Sequence, residues 1–284
     1  MKRFKFSSLA IVLTTIAFLT ACQNDRNLPL GITPYLYVSR PSLEVNILNT
    51  ESSNFVFIEV NDDIIMIDLG FKGSETKIFE FLTSNKIDKV DYLLITQINE
   101  LSQSRVELLS EYIDISQIIS HEVSHNEPYT LNLSNIEVLF FNPKQELNLS
   151  INDAMLTIYP HHNHVGSTYT IASLEYLDQQ IIFASDVKSD YLDQFLLTSD
   201  KSYTVAVLPS DTLNIENIET FLLSDKLTHS IFTCFEGMEP DMNVLQILNT
   251  HEIKPFLACD GTVSIRMNND NDKLNVLQQL NKYN

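Results

Sequence analysis

Apolar residues recur along most of the chain in two rhythms, one of period two and one of period three to four. Leu43–Leu48 alternates apolar with polar side chains, the pattern of a strand with one buried face. Phe55–Val60 and Ile64–Ile67 flank Asn61-Asp62-Asp63, so the pair reads as a hairpin. From Ser74 to Asn85 the rhythm changes. Ile78, Phe81 and Leu82 share one helical face, and Ser74 stands where it can cap the start. Tyr92–Ile95 predicts a short buried strand. Val106, Leu109, Tyr112 and Ile113 mark a second helix, and Ile118-Ile119 a further strand.

Strand-like runs follow at Ile136–Phe141, Met155–Tyr159, Tyr169–Tyr176 and Gln180–Ala184. Their closeness in sequence predicts antiparallel pairing among them. Helices near Tyr191–Leu197, Ile215–Leu223 and Met242–Leu248 then alternate with strands at Tyr203–Leu208, Ser230–Thr233 and Pro255–Ala258. Val263–Arg266 predicts one more strand, and Asp272 the start of a terminal helix. No repeat of fixed period, low-complexity segment or internal linker interrupts the series. It predicts one α/β domain whose helices cover mixed sheets.

The first residues follow neither rhythm. Met1–Lys5 is cationic, Phe6–Phe18 is apolar apart from hydroxyl residues, and Leu19-Thr20-Ala21-Cys22 closes the segment. That is the layout of a secretory signal. The apolar run is shorter than the roughly 20 residues a spanning helix needs. The closing tetrapeptide resembles the lipobox of bacterial lipoproteins, which implies cleavage before Cys22 and a lipid on its sulfur. The expected organisation is a signal over residues 1–21, a lipidated cysteine and polar tether over 22–34, and a domain over 35–284. The protein is then exported and held on a bacterial membrane, outside the cytoplasm.

Composition adds two constraints. An apolar fraction of 44% is enough for an ordinary core. The formal net charge is −19, and losing the signal with its three cations takes it to about −22. Nucleic-acid binding depends on cationic side chains neutralising phosphates, so a chain this acidic is not expected to bind it.

Certain residues carry a resemblance. Ile65-Met66-Ile67-Asp68-Leu69-Gly70 resembles the "LIDTG" turn of the metallo-β-lactamase superfamily, and Lys86–Thr96 resembles the "GIKKIDLLILTH" stretch before its first metal motif. Asn49–Ile58 stands where the branch related to the competence protein ComEC has "DVGQGDAILI". Phe183-Ala184-Ser185-Asp186 resembles a strand that delivers a metal-bridging aspartate, and Asp260–Ile265 resembles the closing "DGTVTI". The matches keep their order from about Leu43 to Arg266. The resemblance implies an αββα sandwich of two mixed sheets flanked by helices.

It also exposes departures. The superfamily follows its first motif strand with His-x-His-x-Asp-His, which holds a pair of divalent metals. The aligned residues here are Gln97, Asn99, Leu101 and Ser102, and zinc prefers imidazole, thiolate or carboxylate. Where the ComEC branch has a later histidine pair, this chain has Ser210 and Asp211. Of the implied ligands only Asp186 is unchanged, so Asp68, Gln97, Asn99, Leu101, Ser102, Asp186, Ser210 and Asp211 mark a vestigial site. Without metal, Gln97, Asn99 and Ser102 can hydrogen-bond among themselves. An alternative single-metal pocket combines His162, His164, Asp186 and Asp211, with Glu100 in reach. His121, His125, His229 and His251 are isolated in sequence. No nucleophile elbow, glycine-rich phosphate loop or Cys-x-x-Cys pair is present.

Lipidation of Cys22 leaves Cys234 and Cys259, each after a strand of the last β-α-β unit. If those strands are parallel neighbours, the thiols meet at one sheet edge. A disulfide and two apolar fillers are both open there. The sequence therefore predicts a membrane-tethered, catalytically degenerate domain without a cofactor, binding an envelope protein or a small molecule. The alternative is a phosphodiesterase-like hydrolase using one divalent metal.

Overall fold

The computed structural model describes residues 41–48, 50, 55–70, 73–122, 131–133, 135–162, 168–184, 189–199, 201–210, 221, 226–233, 239–268 and 271–280. The expected signal and tether, with Cys22, lie in residues 1–40, outside the described residues. Pro41–Asn284 forms one compact unit.

The strands in chain order are β1 (Leu43–Ile47), β2 (Val56–Val60), β3 (Asp63–Ile67), β4 (Lys89–Leu94), β5 (Asp114–His121) and β6 (Glu137–Phe141). Then come β7 (Leu147–Ile151), β8 (Ala154–His162), β9 (Thr168–Tyr176), β10 (Gln179–Phe183), β11 (Val205–Pro209), β12 (His229–Thr233), β13 (Lys254–Leu257), β14 (Gly261–Asn268) and β15 (Asn271–Leu280). They build two sheets, ordered β15-β14-β1-β2-β3-β4-β5-β6 and β13-β12-β11-β10-β9-β8-β7. The described helices are α1 (Glu75–Ser84), α2 (Ser102–Ser110), α3 (Ser189–Thr198) and α4 (Met242–Thr250).

Alternation along each strand assigns its two faces. Val45, Ile58, Ile65, Leu94 and Ile119 of the first sheet share a core with Leu156, Leu174, Ile181, Val207 and Ile231 of the second. The opposite face of the first sheet packs Met66, Leu93 and Ile118 against Ile78 and Leu82 of α1 and Val106 and Leu109 of α2. The opposite face of the second packs Ile182, Ala206 and Phe232 against Leu192 of α3 and Val244 and Leu248 of α4. The result is the αββα sandwich. None of the described helices is long and apolar enough to cross a membrane.

Strand direction positions the site. β3, β4, β5 and β6 are mutually parallel neighbours, so their carboxyl ends gather at one edge. In the second sheet β10, β11, β12 and β13 are parallel, and β8 runs with β10 because both oppose β9. Open α/β sheets present ligand sites at such carboxyl ends.

Several elements differ from the sequence reading. Ile136–Phe141 does not join the antiparallel group: as β6 it pairs parallel with β5 in the first sheet. Its place in the β7–β10 meander is taken by Leu147–Ile151, a run too short and polar to stand out. The helix expected from Asp272 is strand β15. Leu274, Leu277 and Leu280 do have helical spacing, but Leu274 and Val276 also fit period two, and both pack on the inter-sheet core. Pairing of Asn268 with Asn271 across a two-residue hairpin decides for the strand. Gly261 opens β14 beside that hairpin partner. A Cβ there would lie 1.9 Å from the Gln279 carbonyl oxygen, so only glycine fits. Ser74 occupies the N-cap position of α1 without a side-chain capping bond. Tyr112 lies beyond α2, 62% exposed, and stacks on Phe79 at 4.3 Å instead of facing the core. The helix expected at Ile215–Leu223 lies, Phe221 apart, outside the described residues.

Candidate functional site

The edge is built first at the end of β3. Asp68 has φ +62°, a left-handed conformation few non-glycine residues adopt. Its N–H bonds to the Leu94 carbonyl at 2.8 Å, so the turn extends the pairing with β4. Its carboxylate is held from the neighbouring strand: the Thr96 N–H donates to Oδ1 at 2.8 Å, and Thr96 Oγ1 lies 2.9 and 2.8 Å from the two oxygens. Asp68 keeps some surface as a residue, but its carboxyl group is enclosed. Burial pushes its pKa up to about 6, against the lowering effect of the two Thr96 bonds. The group is closed on the protein itself.

The loop after β4 holds the positions aligned with the first metal motif. The Leu101 N–H donates to Asn99 Oδ1 at 2.9 Å, and the Asn99 N–H donates to Ser102 Oγ at 2.9 Å. The Ser102 N–H returns to the Asn99 carbonyl at 3.2 Å. Asn99 and Ser102 thus bond to the loop backbone and not to each other's side chains, and these bonds do not involve half-buried Gln97. The side chains satisfy two N–H groups of the loop just ahead of α2, whose N-cap residue Leu101 makes no side-chain capping bond.

One residue that the sequence did not single out joins this edge. Arg105, buried one turn into α2, donates from Nη1 to the Gly70 carbonyl and from Nη2 to Glu75 Oε1 at 3.1 Å. Glu75 Oε2 accepts the Gly73 N–H at 2.6 Å. Burial alone would raise the Glu75 pKa. The N–H groups of Glu75 and Gly73 and the Arg105 guanidinium outweigh it and lower the value. The segment after β3 is thereby tied to α2. No motif or period links Arg105 to Glu75, so only the folded geometry reveals the pair.

From the second sheet, Ser210 follows β11 and is buried, its N–H on the Thr233 carbonyl at 3.1 Å. His162 ends β8, paired in register with Thr168. His164, Asp186, Asp211 and Cys234 lie outside the described residues, and Glu100 is exposed. His121, at the end of β5, is buried with its ring edge-on to Phe141 at 6.4 Å. β12 and β13 are parallel neighbours, and Cys259, in the turn Ala258–Asp260 after β13, is disulfide-bonded.

The donors at the first loop do not fit a divalent metal. The Asn99 amide oxygen and the Ser102 hydroxyl oxygen are engaged with backbone N–H groups, and the Leu101 side chain has no donor atom. Among the described residues no three His, Cys, Asp or Glu side chains are grouped to hold a metal ion.

Solved structures share this architecture at low identity. YhfI from Bacillus subtilis, a metallo-β-lactamase fold protein, superposes with a TM-score of 0.55 at 10% identity, covering 77% of this chain and 96% of its own. Igni18, a metallo hydrolase from the hyperthermophilic archaeon Ignicoccus hospitalis, gives 0.51 at 15% identity, covering 83% and 99%. CmlA, a diiron β-hydroxylase from Streptomyces venezuelae, gives 0.54 at 11% identity over 81% of this chain, which spans only 55% of CmlA. Similarity at these identities establishes the fold alone. No protein-family model matches the chain, and no curated protein matches it in sequence. The chain has the metallo-β-lactamase fold.

Proposed function

We propose that this chain is a lipid-anchored protein of a bacterial envelope, and that its metallo-β-lactamase-fold domain acts by binding and not by metal-dependent hydrolysis. The observation that carries the reading is the loop after β4. Asn99 and Ser102, at positions aligned with metal ligands, are engaged with the loop's own N–H groups. Arg105 of α2, the helix that follows this loop, adds a fixed cation tied to Gly70 and Glu75. The anchor rests on the segment Met1–Cys22, and the relation to the ComEC branch on the matching runs between Leu43 and Arg266. The occupant is an envelope protein or a small molecule. Strong acidity disfavours nucleic acid.

The competing reading is a hydrolase that gathers His162, His164, Asp186 and Asp211 around one metal. One preparation tests both the anchor and the chemistry. The chain should take up a metabolically supplied fatty-acid label, and a Cys22→Ser variant should not. The chain starting at Gln23 should retain no stoichiometric metal after exposure to zinc or manganese and desalting. About one metal per chain, lost in His164→Ala/Asp186→Ala, would overturn the binding reading and lead to a phosphodiesterase screen. A wild-type chain without the fatty-acid label, or a Cys22→Ser chain that keeps it, would overturn the lipid anchor.

A further inference from the structure

A second concavity lies on the helix-covered face of the second sheet. It is a cleft of about 370 Å³, within the range of roughly 300–1,000 Å³ usual for small-molecule sites. Tyr159 of β8 and Tyr191 and Phe195 of α3 line it. The rings of Tyr159 and Phe195 lie 5.0 Å apart. His161 lies flat on Tyr191, with centroids 4.0 Å apart and planes 14° from parallel. The Tyr191 hydroxyl donates to the Tyr159 carbonyl at 3.2 Å. These contacts fix the ring plates in place, so a ligand has little to order.

The charge of the cleft departs from that of the chain. The net charge of −19 repels anions in general, but screening limits surface fields to about 8 Å at physiological ionic strength. A bound group therefore senses the local charges, where Lys144 and Lys201 stand against Glu146 of the lining and Glu175 beside it. The Lys201 ammonium lies 5.3 Å from the centre of the Tyr159 ring. Burial works against its charge. Tyr159, together with the carboxylates of Glu146 and Glu175, outweighs that and raises its pKa. The side chain stays cationic at neutral pH, and an ammonium offers three donors.

We propose that this cleft binds a small organic anion carrying a flat ring, with its carboxylate on Lys201 and its ring against the wall of Tyr159, Tyr191 and Phe195. The inference deepens the binding reading by giving it a ligand class. The cleft uses none of the positions aligned with metal ligands.

The test is a fluorine NMR titration of the full-length protein in detergent with 4-fluorobenzoate, 4-fluorobenzamide and 4-fluorobenzylammonium. Detergent alone serves as the blank. The benzoate should saturate with a dissociation constant at or below about 1 mM, roughly tenfold tighter than the amide. Lys201→Met should weaken it about tenfold, and Lys201→Arg should hold it within about threefold. Lys144→Gln, at an exposed position, should weaken it a few-fold and guards against a misfolded Lys201→Met. No saturable binding of the benzoate, equal binding of the amide, tighter binding of the ammonium, or an unchanged Lys201→Met would each overturn the proposal. Bound metal with intact benzoate binding would overturn the binding-only reading and leave the cleft standing. Metal-free protein that does not take benzoate would do the reverse.

Discussion

A few residues along β4 and its loop separate two parts of the molecule that are held together in different ways. Leu94 lies in the inter-sheet core, with no surface exposed, among residues of the type the fold requires. Just beyond it, the loop positions Asn99, Leu101 and Ser102 hold an amide, a leucine and a hydroxyl. The two parts are stabilised differently. The core depends on close packing, which tolerates no loss of volume. The loop depends on satisfying its own donors, which Asn99 and Ser102 do locally. The loop can therefore change its residue types with little consequence for the sandwich.

The contrast can be broken or sharpened by substitution. The largest effect is expected from Leu94→Ala, which leaves a cavity between the sheets and should cost about 3 kcal/mol in denaturant unfolding. A loss below about 1 kcal/mol would mean that the core is not the constrained region. Asp68→Asn comes next. The folded-state pKa of Asp68 is raised from 3.8 to about 6, so the folded state holds the proton more tightly than the unfolded state. That contribution to stability is full below the unfolded value, falls as pH rises through the window up to about 6, and is absent above it. Asparagine keeps an acceptor for the Thr96 N–H and tolerates the left-handed backbone. Above pH 6 the variant should regain about 2 kcal/mol relative to its difference at pH 4. Parallel stability curves for the two proteins across that window would remove the assignment. The smallest effect is expected at Ser102→Ala, about 1 kcal/mol for the acceptor lost to Asn99. A loss as large as that of Leu94→Ala would erase the distinction between core and loop.

Much of this was readable before the fold. The hairpin of β2 and β3, helix α1 and strand β4 each show a clean period, and each forms close to where that period lies. The residue types at Gln97, Asn99, Leu101 and Ser102 are displayed directly by the sequence, but the hydrogen bonds that Asn99 and Ser102 make to the loop backbone are not. β7 and β15 were not readable, for different reasons. Leu147–Ile151 is short and half polar. Leu274–Leu280 satisfies two periods at once, and only its hairpin with β14 resolves them. The Arg105–Glu75 pair joins positions thirty residues apart with no periodic relation. The cleft draws on β8, α3 and two turns, so His161 and Lys201 become neighbours only after the second sheet forms.

The place of β1 has a consequence for the order in which the molecule can assemble. β1 is clasped between β2 and β14, and Ser42 bonds Met267 across 225 positions of sequence. The first sheet cannot close until almost the whole chain has been synthesised. Contacts this distant form late and slowly, and a nascent chain lacking its last strands has an open seam. Such a polypeptide remains threadable for most of its synthesis, and the native sheet zips shut only once its tail arrives.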